Sequence, residues 1–147
     1  MTHIEFDVLR ESAATAMTRA YAPYSGFPVG AAAITSAGEL ITAANVENVS
    51  YGLGLCAEVA LVSVGVSRGS LEGSRGDVES AHGKRLAAVS VCDGDGRPLT
   101  PCGRCRQVLL EFGGSDLLVD GADGPRPLGE LLPDAFGPAD LDRVRGL

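Results

Sequence analysis

The sequence predicts an α/β fold, a sheet with helices packed on its faces, and three observations carry that expectation. Apolar residues alternate between helical and strand-like spacing in the order helix, hairpin, helix, strand, helix, strand. A length of 147 residues and 15.0 kDa suits one domain spanning 1–147. With 45% hydrophobic and 21% charged residues, the chain has enough apolar surface to pack one core.

Each element follows from local pattern. Ile4, Val8, Leu9, Ala13, Ala16, Met17 and Ala20 recur at helical spacing until Pro23, which predicts an amphipathic helix over residues 4–21. Phe27 to Thr35, a Ser36-Ala37-Gly38 turn and Leu40 to Ala44 read as a hairpin of two central, buried strands. Residues 45–54 are polar and turn-rich, whereas Leu55 to Val66 is apolar nearly all round and suits a buried helix. Gly69 to Arg85 scatters glycines among charges, as an exposed, mobile connection does. Leu86 to Cys92 reads as a strand closed by the Asp93-Gly94-Asp95-Gly96 turn, and Cys102 to Phe112 as a short buried helix ended by Gly113-Gly114. Leu117 to Asp120 is one more strand, parallel to the preceding one because a helix separates them. Beyond Gly121 only Leu128 to Leu132 has the pattern of a helical turn or two.

Charge and cysteine content narrow the function. Twelve basic against nineteen acidic residues give a net charge of −7, which argues against phosphate-rich nucleic acid and anionic membranes as partners and favours a small ligand. No stretch approaches the ~18 apolar residues of a membrane span, and Met1 to Arg10 lacks a basic start followed by an apolar run, so a cytoplasmic location is expected. Four cysteines are too few for a disulfide scaffold of this length, and Cys102 and Cys105 form a Cys-x-x-Cys pair suited to metal or redox chemistry.

Cys102 and Cys105 stand three apart at a predicted helix start, on the face from which two thiolates can chelate one Zn²⁺. Cys56 opens the other buried helix, where the positive end of the dipole favours thiolate. Three thiolates on two helix starts make a plausible open zinc site with its fourth position left for water. Glu58 lies about 200° round a regular helix from Cys56, poorly placed as a ligand yet able to border that position and take the proton of an activated water.

Leu55-Cys56-Ala57-Glu58 followed by Pro101-Cys102-Gly103-Arg104-Cys105-Arg106-Gln107 resembles the zinc signature of the nucleoside deaminases, in the branch that has Cys where others have His. Asn45-Val46-Glu47-Asn48, Tyr51-Gly52-Leu53, Tyr24-Ser25-Gly26-Phe27, Val29-Gly30-Ala31 and Leu131-Leu132-Pro133 with Phe136 narrow it to the small homotetrameric cytidine deaminases, over nearly the whole chain. The resemblance implies a three-layer sandwich with a mixed five-stranded sheet and helices on both faces. It implies Zn²⁺ on Cys56, Cys102 and Cys105, with Glu58 moving protons as water attacks C4 of cytidine or deoxycytidine and ammonia leaves. It also implies Asn45 and Glu47 at the ribose hydroxyls, Phe27 beside the base, and Ala57 among the substrate contacts. Tyr51 and Phe136 would come from neighbouring subunits of a homotetramer with shared sites.

Two features depart from the pattern. Many relatives carry Arg directly after the Cys-Ala-Glu triplet, where this chain has Val59, so helix dipoles or another cation, Arg104 or Arg106, would have to offset the thiolate charge. The Gly69 to Arg85 connection is also longer than usual and reads as a surface insertion. Weighed against a catalytic site are a structural zinc knuckle using Cys56 and Cys92, and a redox pair. Cys92, ending an apolar strand, reads better as a buried small hydrophobe. His3 and His82 are assigned no role. A deaminase of a cytosine nucleoside antibiotic such as blasticidin S shares the cysteine segments, while the Asn45–Asn48 stretch and Tyr51 favour the ordinary nucleoside.

Overall fold

The structure is a computed structural model that describes residues 3–73 and 84–146. Five strands form one mixed sheet: β1 (Gly30–Thr35), β2 (Leu40–Ala44), β3 (Leu86–Cys92), β4 (Leu118–Val119) and β5 (Arg126–Pro127). Their spatial order is β2-β1-β3-β4-β5. β3 and β4 are parallel, as a helical crossover requires, and the other neighbours are antiparallel.

Alternation along the strands makes the three layers. Ala31, Ala33, Val89 and Val91 face α2 (Ala57–Ser67) and α3 (Gly103–Gly113), whose Leu61, Val62 and Leu109 complete the larger core. Ala32, Ala88 and Cys92 face the opposite side, where α1 (Phe6–Met17) supplies Leu9 and Ala13. Small residues on β1 let the helices approach closely. A Cβ on Gly30 would stand 2.0 Å from the Ala13 carbonyl oxygen, so α1 could not seat where it does with any other residue there.

Several boundaries differ from the sequence-based expectation, each for a local reason. α1 stops at Met17 because the amides of Thr18, Arg19 and Ala20 bond carbonyls three residues back, tightening the chain into a turn before Tyr21 pairs with Asn45. β1 begins only at Gly30, since Pro28 has no donor and the Val29 amide is taken by the Asn45 side chain at 2.8 Å. β2 is an edge strand, not a central one, with Leu40 and Thr42 exposed. The expected exposed connection opens instead with buried Ser70 and Leu71; Leu71 seats against Gly65 of α2. The rest of that expectation, with His82, falls on residues 74–83 and lies outside the described residues. The tail contributes β5, α4 (Leu128–Leu131) and α5 (Pro138–Arg145), of which only α4 was anticipated. Among the described residues no helix is long and apolar enough to cross a membrane.

One polar clasp ties α1 to the sheet. The guanidinium of Arg10 donates to both oxygens of Asp120 at 2.7 and 2.8 Å, while the Ser90 hydroxyl and the Gly121 amide donate at 2.9 and 3.0 Å. Burial alone would raise the Asp120 carboxyl, but Arg10, Ser90 and Gly121 together hold it below the usual carboxylate range. Its contribution to stability is therefore present above the unfolded pKa of about 3.9 and lost as pH falls through the lower folded value. Arg10→Met should destabilise the protein by about 1 to 3 kcal/mol at pH 7, below the ~3 to 5 kcal/mol of a fully buried pair because the outer end of Arg10 is solvated. Thermal unfolding of both proteins from pH 7 to pH 3 checks this: the gap in Tm should narrow below about pH 4, and a gap constant with pH would assign the loss to packing.

Candidate metal centre and substrate cavity

The start of α2 and the start of α3 meet at one end of the sheet. Cys56 is the residue before α2 and Cys102 the residue before α3; both are extended and lend their carbonyl oxygens to the first helical bonds, from Ala60 at 3.0 Å and Arg106 at 2.9 Å. Cys105 sits one turn into α3 and is completely buried. The sulfur atoms of Cys56, Cys102 and Cys105 all lie within 4.8 Å of one another. Tetrahedral zinc with bonds of about 2.3 Å sets its sulfurs about 3.8 Å apart, so the three thiols fit one ion after small side-chain movements.

The charge balance agrees with that fit. Burial pushes up the Cys56 and Cys105 thiols and the Glu58 carboxyl, so the chain by itself disfavours negative charge here. A divalent cation reverses that preference and turns buried thiols into ligands. The Cys102 thiol is held below its ordinary range: burial opposes this, but bonds from the amide and thiol of Cys105 and from the Arg104 amide outweigh the burial. Cys92, on the α1 side of the sheet, belongs to the small core and not to the cluster.

Glu58 is 4% exposed, in the first turn of α2. The angle expected between Cys56 and Glu58 assumed that both lie on a regular helix. Because Cys56 precedes the helix in extended conformation, both residues reach the same cavity. That cavity measures about 590 Å³, room for a nucleoside-sized molecule, and Asn45, Glu47, Tyr51, Ala57 and Cys102 also line it.

Two loops build the wall opposite the cysteines. After β2, Val46 pairs with Leu55 through mutual amide-to-carbonyl bonds of 3.0 and 2.9 Å, closing a loop that carries Glu47 and the 3₁₀ turn Tyr51–Leu53. The Asn45 side chain accepts from the Val29 amide and donates to the Phe27 carbonyl at 3.1 Å. Glu47 accepts from the amides of Tyr24 and Ser25 at 2.9 and 3.1 Å and from the Ser25 hydroxyl, which holds its carboxyl below the usual range. Tyr51, 81% exposed, meets Tyr24 edge to face with ring centroids 6.2 Å apart.

The structure thus brings seven of the ten candidate site residues to the lining of one cavity, with Cys105 held against Cys56 and Cys102 but not lining it. Phe27 and Phe136, 53% and 57% exposed, do not line it in this chain; Phe136 borders a separate hollow with Asp134 and Asp140. Val29, Leu99 and Thr100 are wall residues that carried no chemical signal in the sequence. Leu99 is placed by its amide bond to the Val91 carbonyl at 2.7 Å, a pairing visible only once β3 and the 93–96 turn are folded. Of the two candidate cations, Arg104 lines the cavity and favours the Cys56 thiolate, whereas Arg106 is tied to the carbonyls of Pro101 and Leu131.

A sheet between helices, three cysteines at two adjoining helix starts and a buried carboxylate beside them define a zinc-dependent hydrolase. The chain belongs to the family described as the cytidine and deoxycytidylate deaminase zinc-binding region, whose model matches residues 6–120. It is 51% identical over 145 residues to a cytidine deaminase of Mycobacterium tuberculosis, covering 99% of each chain. It is 38% identical over 140 residues to one of Halalkalibacterium halodurans, covering 92% of this chain and 96% of that one. The crystal structure of the M. tuberculosis cytidine deaminase superposes with a TM-score of 0.81 at 52% identity, over 92% of this chain and 99% of that one. That of Mycobacterium leprae does so with a TM-score of 0.79 at 43% identity, over 90% and 100%.

Metal analysis separates the cysteines. The protein should carry about one zinc per chain, lost in Cys102→Ala because two remaining thiolates cannot hold the ion at an open site, and retained in Cys92→Ala. Full zinc in Cys102→Ala, or its loss in Cys92→Ala, would mean a different ligand set.

Proposed function

We propose that the protein hydrolyses the C4 amino group of cytidine and deoxycytidine, giving uridine or deoxyuridine and ammonia. The observation that carries this reading is the opening of the Cys56–Cys102–Cys105 cluster and Glu58 into one nucleoside-sized cavity. Membership of a zinc-binding deaminase family and 51% identity to a cytidine deaminase support it. The balance is cytidine plus water to uridine plus ammonia.

Cys56, Cys102 and Cys105 would hold the Zn²⁺, which supplies Lewis acidity toward water. Glu58 then takes the water's proton, gives a proton to N3 of the base as C4 becomes tetrahedral, and delivers a proton to the departing amine. Its burial suits both tasks, because a carboxyl that burial shifts upward binds a proton more readily than an exposed one and can still return it to the substrate. Asn45 and Glu47 bind the sugar hydroxyls, the carboxylate as acceptor and the amide as donor. Ala57 lies against the substrate and Phe27 beside the base. Phe136 acts at the site of a neighbouring subunit in a homotetramer, in keeping with its exposure here, whereas Tyr51, expected to do the same, lines the cavity of its own chain from an exposed position. The whole chain forms one domain, and pyrimidine salvage in the cytoplasm is the setting for such a reaction.

Ultraviolet absorbance on incubation with cytidine, deoxycytidine, cytosine and blasticidin S tests the assignment; turnover of blasticidin S alone would replace the nucleoside reading. Glu58→Gln should keep its zinc and lose activity by about 10² to 10⁴, the range for a general acid and base. Near-wild-type turnover in that variant would reduce Glu58 to a helix-start carboxylate. Glu47→Ala should lower kcat/KM for cytidine and deoxycytidine alike, by about 10- to 150-fold, because a partner of the 3′-hydroxyl does not sense the 2′ position. A loss confined to cytidine would place Glu47 at the 2′-hydroxyl.

A further inference from the structure

The two residues that follow Cys105 point away from the cysteine cluster and into the tail. The Arg106 guanidinium donates to the Pro101 carbonyl and to the Leu131 carbonyl, both at 2.8 Å. The Gln107 amide donates to the carbonyl of Phe136 itself, again at 2.8 Å. Consecutive side chains on α3 therefore anchor both ends of the segment 131–136. Between the anchors, Asp134 adopts φ +52, the one positive value among the described non-glycine residues. Such a conformation costs free energy and persists only where its surroundings hold it, often where the backbone must aim a side chain. Beyond it, the Gly137 amide is fixed by Asp140 at 2.9 Å as α5 begins. An aromatic ring 57% exposed is thus carried on a backbone constrained before, at and after it, although nothing in its own core requires it there.

From this geometry we infer that Gln107, with Arg106, is a positioning residue: it fixes the Phe136 ring in the orientation in which it meets a substrate base. The inference rests on the proposed role of Phe136. Its physical content is preorganisation. A ring on a backbone that a bound base must first order forfeits part of its stacking free energy, whereas one on a backbone already held by a hydrogen bond to its carbonyl forfeits less. Gln107 touches neither cysteine sulfur nor substrate cavity, so its effect should fall on binding and leave the chemical step alone.

The test is a double-mutant cycle on the zinc-loaded enzyme with Gln107→Met, which keeps side-chain length and removes the donor, and Phe136→Ala. Gln107 is exposed on α3, so both single variants and their combination should fold and retain zinc, checked by thermal unfolding and metal content. Phe136→Ala should weaken kcat/KM for cytidine by about 5- to 150-fold, the range for a lost stacking contact. Gln107→Met should raise KM by about 3- to 10-fold with kcat nearly unchanged, the range for one neutral hydrogen bond. Added to Phe136→Ala it should cost nothing more, because the ring it positions is gone. Multiplying losses in the double variant, or a Gln107→Met enzyme with wild-type KM while Phe136→Ala is impaired, would overturn the inference and leave the role of Phe136 standing. An unimpaired Phe136→Ala would overturn the role of Phe136 and the inference with it.

Discussion

Three sulfur atoms within 4.8 Å of one another can arise only if α2 and α3 start side by side, and most of the fold serves that condition. α2 follows the edge strand β2 and α3 follows β3, and both lie on the same face of the sheet. Alanines at 31 and 33 of β1 and glycine at 65 of α2 keep that layer thin, with Leu61 and Leu109 filling what remains. Loss of Leu61 or Leu109 to alanine, each worth roughly 2 to 5 kcal/mol in a packed core, would loosen the same interface that sets the spacing of the ligands. The α1 face answers to a different demand. Its Gly30 contact and the Arg10–Asp120 clasp lock the sheet from behind, where no chemistry occurs.

The elements legible in the sequence were those whose signal is local. Helical periodicity placed α1, though Pro23 overshot its end at Met17; the Cys-Ala-Glu and Cys-x-x-Cys spacings placed two helix starts, and one intervening helix made β3 and β4 parallel. Errors came where a distant partner decides. The expectation that β2 is central failed because a run of apolar residues does not say how many neighbours a strand has. The two-residue strand β5 is held by its pairing with β4 and carries little pattern of its own. Leu71 reads as a loop residue until Gly65, six residues earlier on α2, offers the gap that buries it.

The site divides in the same way. Cys56, Glu58, Cys102 and Cys105 could be grouped from residue type and spacing, because metal ligation and proton transfer demand particular atoms. Leu99, Thr100 and Val29 could not, since a wall needs only shape, and shape follows from the Leu99–Val91 bond and the loop across the cavity. Arg104 and Arg106 show the limit of charge as a signal. The sequence offers two equivalent cations, and only the fold commits one to the cavity and the other to the carbonyls of Pro101 and Leu131.

The carboxylate of Glu47 gathers two amides and a hydroxyl from residues 24 and 25, so the group proposed to meet the sugar also holds the neighbouring loop in place. Recognition and architecture are fused at that position. A replacement there that removed the side-chain oxygens would also release the 24–25 amides and loosen the loop. Wall positions without such a second duty are freer to change, such as Asn48, whose side chain, among the described residues, accepts only from the amide of Ser50 in its own turn.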